Sequence, residues 1–218
     1  MWDTLLYLTM LGVCTVLYVL NYRILTPPLQ ALTLAITATF VITGYGVYVW
    51  RVENRDNLYV FHFLPVAQYV AYGLMFRGML AQTVIQRLIS VTIVLFSVVS
   101  FGISLTIQPW NQYNSYALTL FNTLIAYWAG HYLWRIFIDS KISSLEKEPL
   151  FWISAGLFFT SLGNFFVQGL MNYMISVSNQ YALLVYWIQE LMNFIVISIF
   201  LLALRVYLKQ KLPIYTSN

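Results

Sequence analysis

Glu190 lies inside the apolar run 182–208, about nine residues and so about 13 Å from where that run begins. An ionisable side chain at mid-depth in hydrocarbon costs at least roughly 2.5–3.5 kcal/mol, so a carboxyl placed there must face a polar interior. Protonation, cation binding and ligand contact are the chemistries open to it. Gln189 precedes it and Asn193 follows three residues later, a stripe able to hydrogen-bond across a helical bundle.

Two other apolar runs carry stripes of the same kind. In one, His62, Pro65, Gln68 or Tyr69, and Tyr72 recur at spacings of three and four; in another, Ser161, Asn164, Gln168 and Asn172 do so. Pro65 leaves the carbonyl near Phe61 without its helical donor and should act as a hinge. His62, about four residues into its run, would sit near the outer surface and add a pH-sensitive group. We therefore expect an outward-facing pocket lined by Glu190, Gln189, Asn193, Gln68, Tyr72, His62, Asn164 and Gln168, with Pro65 as its hinge. Asn122, Tyr127 and His131 add polarity to a fourth run.

The elements that must position these groups follow from composition. The chain is 61% hydrophobic and 8% charged, against roughly 25% charged in soluble domains, so no water-soluble surface can be built from it. Apolar windows fall at 2–21, 29–50, 58–79, 88–107, 116–138, 150–176 and 182–208, each of about the 20 residues a spanning helix needs. Thr26-Pro27-Pro28, the charged stretch Arg51 to Asn57, Pro109-Trp110-Asn111-Gln112 and the segment Asp139 to Pro149 punctuate them. This predicts an all-α polytopic bundle of seven transmembrane helices filling residues 1–208, with a short cytoplasmic tail at 209–218. The fourth window holds no strongly polar side chain and should face lipid over much of its surface.

Basic residues set the orientation. With the N-terminus outside, the cytoplasmic ends hold Arg23, Arg77, Arg87, Arg135, Lys141, Lys147, Arg205, Lys209 and Lys211, and the outer ends only Arg51 and Arg55. Nine against two is the bias of an N-outside, C-cytoplasmic chain. The same scatter argues against nucleic acid despite the net charge of +4, because no single polar face collects the charge.

Other chemistries lack their residues. Cys14 is the only cysteine, which rules out an intrachain disulfide or a cysteine-based zinc cluster. His62 and His131 belong to opposite ends of their spans and cannot supply the three ligands of a catalytic zinc. No lysine lies within a span to hold retinal, and neither a phosphate-binding loop nor a nucleophile triad is present. No enzymatic activity, cofactor or metal is expected.

An internal echo pairs Tyr22-Arg23-Ile24, after the first window, with Trp134-Arg135-Ile136, at the end of the fifth. Together with a shared aromatic-then-polar pattern in the third and seventh, it hints at a 3+1+3 repeat with the fourth helix as linker.

Through Asn57-Leu58-Tyr59-Val60-Phe61-His62-Phe63-Leu64-Pro65 and Pro149-Leu150-Phe151-Trp152-Ile153-Ser154, leading to Gly163-Asn164, the chain resembles a family of small, uncharacterised bacterial seven-helix integral membrane proteins. The resemblance spans most of the chain and implies a multi-pass protein of the bacterial cytoplasmic (inner) membrane. In that family an acidic residue often stands where this chain has Gln68, and a histidine near Gln189 or Glu190, so the charge of the site has moved here. The expected function is a sensor or receptor-like bundle that binds a small molecule from outside and signals to a separate cytoplasmic partner. The alternative is a small-solute transporter or channel similar to the sugar-carrying seven-helix proteins, although their Pro-Gln signature is absent; a lipid-modifying enzyme or a ligand-free assembly subunit ranks below both. The partners implied are membrane lipids, a small-molecule ligand, a cytoplasmic signalling protein and a second copy of the chain.

Overall fold

A computed structural model describes residues 2–139 and 144–215. The described residues form helices and connectors with no strand: α1 (Trp2–Leu20), α2 (Pro27–Arg51), α3 (Leu58–Phe61), α4 (Leu64–Met79), α5 (Thr83–Thr106), α6 (Ser115–Asp139), α7 (Pro149–Val177) and α8 (Asn179–Tyr215), besides two short 3-10 turns. Because α3 and α4 together make the third segment, seven helical segments result.

Five segments are long and apolar enough to cross a membrane: Pro27–Arg51, Leu58–Met79, Thr83–Thr106, Pro149–Val177 and Leu183–Lys211. Thr4–Leu20 is a shorter apolar helix. α6, at 25 residues, is long but carries Asn122, His131 and Arg135 within it, and it buries Asn122, Ile125, Trp128 and Ala129 against its neighbours. A helix shielded by other helices does not need an apolar surface all round.

Proline and capping residues set the helix ends. Pro27 and Pro28 open α2, and Pro149 opens α7, where the Glu148 side chain accepts the Leu150 N–H. Pro65 stands in the first turn of α4. Its missing N–H leaves the Phe61 carbonyl without an i+4 donor, and the chain crosses the gap with the tighter bonds His62 N–H to Tyr59 and Phe63 N–H to Val60. The expected hinge is thus a break between two helices. A single extended residue, Ser178, separates α7 from α8, and its hydroxyl accepts the Gln180 N–H. The tail expected at 209–218 remains helical through Tyr215, and residues 216–218 lie outside the described ones.

The helices pack as a ring in the order α1, α2, α4, α6, α7, α8 and back to α1, with α5 outside against α4 and α6. Neighbours within each half are antiparallel: Gly12 meets Phe40, Gly78 meets Pro28, Gly130 meets Phe158 and Gly156 meets Ile199. The two seams, α4 with α6 and α8 with α1, join the halves. The second is parallel, since the Tyr18 hydroxyl donates to the Phe200 carbonyl at 2.8 Å and the Tyr207 hydroxyl to that of Ile24 at 2.5 Å. At the first, Trp128 Nε1–H donates to the Tyr69 hydroxyl, which donates in turn to Thr92 of α5. α5 buries chiefly Ile89, Phe96, Ser100 and Ser104 and exposes its valines and leucines, as expected of a lipid-facing helix.

Helix spacing is set where glycines meet branched side chains. A Cβ at Gly156 would stand 2.8–3.3 Å from Ile199, too close for the branched side chain to yield. Gly156→Leu should therefore cost about 1–3 kcal/mol and lower the thermal midpoint in lipid nanodiscs. Gly44→Ala, with nothing within 4 Å, should leave it unchanged or raise it.

Candidate functional site

The ring encloses a cavity of about 650 Å³ at the end where α1, α3, α6 and α8 begin and α2 and α7 finish. That size is within the usual range of small-molecule sites. Its polar wall is built from Gln68 of α4, Asn122 of α6, Asn164 and Gln168 of α7, and Gln189, Glu190 and Asn193 of α8. Thr39 and Thr43 of α2, Tyr7 of α1 and Tyr186 of α8 complete it, with Phe61, Phe121, Met171 and Leu183 as its apolar surface.

Below this level the interior is filled. Tyr18, Leu32, Met75, Phe76, Ile125, Trp128, Leu157, Phe200 and Leu204 are all buried and none of them reaches the cavity. The cavity is a vestibule with a floor, confined to one half of the bundle.

α7 and α8 run side by side with Gly156 against Ile199 and Gly163 against Met192. In that register Asn164 falls opposite residue 191, between Glu190 and Asn193. Glu190 is half-buried, about 10 Å along the helix from Leu183, where the apolar window of α8 begins. Gln68 is held by α2, its Nε2 donating to Thr39 Oγ1 at 2.8 Å, and Thr39 passes its own proton to the Ala35 carbonyl.

The connector between α5 and α6 folds back over the vestibule and contributes Tyr113 and Asn114, neither of which periodicity could have shown. The Tyr113 hydroxyl donates to Gln168 Oε1, with Gln189 Oε1 3.5 Å away, so one phenol bridges α7 and α8. Burial pushes that phenol up to about 12, outweighing the two glutamine contacts that pull it down. Asn114 occupies the position where an asparagine normally caps a helix, but Gln108 does the capping: its Oε1 accepts the Tyr116 N–H at 3.0 Å and its Nε2 donates to Ser115 Oγ. Asn114, 2% exposed, therefore has neither Oδ1 nor Nδ2 in a hydrogen bond.

Two expected residues do not line the cavity. His62 is 1% exposed and turned toward α5 and the connector. Its Nε2–H donates to the Gln112 carbonyl at 3.0 Å, its Nδ1 lies 2.7 Å from Ser104 Oγ, and the Trp110 ring packs over it at 5.0 Å. His62 thus straps down the connector that delivers Tyr113 and Asn114, as a positioning residue. Tyr72 is buried in the aromatic core, 6.3 Å from Phe121 between ring centres. Tyr69 and Tyr72 both meet Phe121 of α6, Tyr72 standing also beside Tyr7 and Cys14 of α1, and of α4 it is Gln68, with Leu64, that turns to the cavity. The side chain of Asn172 lies outside those described.

Chemically, the site offers one carboxyl, many carboxamides and phenols, and no basic group among its described lining residues. No protein-family model matches this chain, nor does any of the curated proteins or solved structures compared with it.

Tyr113 supplies a pH signature. A phenol raised in the folded state above its ordinary value of about 10 contributes stability that is full below about pH 10 and is lost as pH rises toward about 12. Tyr113→Phe should cost about 1 kcal/mol, a penalty constant between about pH 6 and 9 and shrinking above about pH 10. Melting both proteins across that range checks it.

Proposed function

We propose that the chain is a receptor-like protein of the bacterial cytoplasmic membrane, in which a small molecule enters the vestibule from outside and the change is passed to a separate cytoplasmic protein. The observation that carries this reading is the confinement of the polar cavity to one half of a bundle whose other half is filled. By the bias of the basic residues the open end is the outer one, with the N-terminus outside and the C-terminus in the cytoplasm. α1 and α6 cross the bilayer with the other five segments, since each packs between helices long and apolar enough to do so.

Signal transfer has a physical route. Tyr113 ties α7 to α8 at the vestibule. At the far end the turn Leu145–Lys147 is joined to α7 by Trp152 Nε1–H donating to the Glu146 carbonyl, and to α8 by Gln210 donating to that of Lys147. A ligand that shifts α7 against α8 would move this charged turn, where a cytoplasmic partner can dock.

Transport is the second reading, favoured by the order of the ring. If helices 1–3 repeat as 5–7, the seam of α4 with α6 corresponds to that of α8 with α1, and α5 lies outside both halves as a linker would. Glu190 would then be the coupling group.

Thiol accessibility tests the orientation and the vestibule together. In a Cys14→Ala background, Asn164→Cys should react with a membrane-impermeant maleimide added from outside, and Phe200→Cys from neither side. Reaction at residue 164 only from the cytoplasmic side, or not at all, refutes the outward pocket. Solute uptake into proteoliposomes that is lost in Glu190→Gln would decide for transport over sensing.

A further inference from the structure

We infer that the vestibule takes a small neutral molecule that carries a primary carboxamide on an apolar or aromatic body. The inference rests on the vestibule being a ligand pocket open from outside.

Two of the carboxamides in the wall stand apart from the others. Gln68 donates to Thr39, Asn122 donates to the Leu118 carbonyl and Gln168 accepts from Tyr113, so each of these three has a partner within the protein. Asn114 has none: it is 2% exposed, and neither its Oδ1 nor its Nδ2 meets a hydrogen-bonding group of the protein. Asn164 Oδ1, on α7 and bordering the same cavity, is a further buried acceptor without a donor.

The connector itself explains why Asn114 is free. An asparagine at the start of a helix ordinarily spends its oxygen on an N–H of the first turn, but Gln108 Oε1 already holds the Tyr116 N–H at 3.0 Å. The helix start is satisfied without Asn114, whose carboxamide is left beside the cavity.

Those atoms define the chemical class. Asn114 needs a donor and an acceptor side by side, and Asn164 Oδ1 needs a second donor. A carboxylate only accepts and an ammonium only donates, so an ion of either sign leaves one atom of Asn114 buried and unpaired, which is costly. A carboxamide carries its N–H and C=O at the same separation as Asn114 does and can pair with it through two parallel hydrogen bonds. A primary amide keeps a second N–H for Asn164. Both polar atoms of Asn114 are covered, and a rotamer change brings them into the cavity that the residue borders.

The rest of the wall selects the body. Phe61, Phe121 and Tyr186 present rings, and Met171 and Leu183 aliphatic surface, which together favour an apolar skeleton.

Four probes of one skeleton separate the classes: 3-phenylpropionamide, its N,N-dimethyl form as an acceptor without N–H, 3-phenylpropionate as the anion and 3-phenylpropylamine as the cation. Each is titrated against the full-length protein in lipid nanodiscs at neutral pH, and affinity is read from the rise of the thermal midpoint with concentration. The primary amide should bind about tenfold or more tightly than any of the other three, the range of two neutral hydrogen bonds. Asn114→Leu should bring it to parity with the dimethyl amide. Since Gln108 holds the helix start, the same variant should leave the midpoint of the protein without probe unchanged or raise it, which loss of a structural hydrogen bond would not do. Asn164→Leu should weaken the primary amide and leave the dimethyl amide unchanged.

Equal binding of all four, tighter binding of either ion or of the dimethyl amide, no binding by any, or a lowered midpoint in Asn114→Leu overturns the inference. If Asn164→Cys is still labelled from outside in those cases, the ligand class alone falls. If that labelling also fails, the pocket reading falls with it.

Discussion

A carboxyl and a cluster of carboxamides cannot be left in hydrocarbon, and that constraint decides which way the helices of this chain turn. Each of α4, α6, α7 and α8 carries polar groups near one end, and the ring closes with those ends together. Smaller hydroxyls impose no such demand, because Thr15, Thr33, Thr39 and Thr160 return their protons to a carbonyl one turn back on their own helix. An amide meets part of its need this way, as Asn122 does with the Leu118 carbonyl, but its remaining donor and acceptor, like the oxygens of a carboxyl, still require polar surroundings, and these groups define the interior.

Closing the ring around polar groups raises a packing problem at the opposite end, which large side chains solve. Trp128, Tyr69, Tyr18, Phe76 and Phe96 are among the largest fully buried residues, and the first three spend their polar atoms on hydrogen bonds within the floor. The floor is filled, with the buried Ser154 Oγ outside any hydrogen bond, while the vestibule above it keeps the unpaired oxygens of Asn114 and Asn164.

Much of the fold is legible in the sequence because the bilayer leaves so few choices. Pro27 and Pro149 mark helix starts within two residues of the apolar windows, and the window at 88–107 reads as lipid-facing on composition alone. The site is legible in part. Gln68, Asn164, Gln168, Gln189, Glu190 and Asn193 sit on stripes that helical spacing makes plain, and one cavity collects them. Spacing does not say which face of the third span points inward: the break at His62-Phe63 resets the rotation, which leaves His62 and Tyr72 facing other helices. Nor does periodicity describe connectors, so the return of Tyr113 and Asn114 could not be read.

The most direct measurement is a crystal structure grown from a lipidic mesophase, with the ordered water located. An outward vestibule with a sealed floor predicts water running from the mouth near Asn57 to Glu190, Asn114 and Asn164, and none between there and Phe200. A dry interior in which those side chains bond only to one another would contradict it, and so would a water column continuing to the opposite end of the bundle.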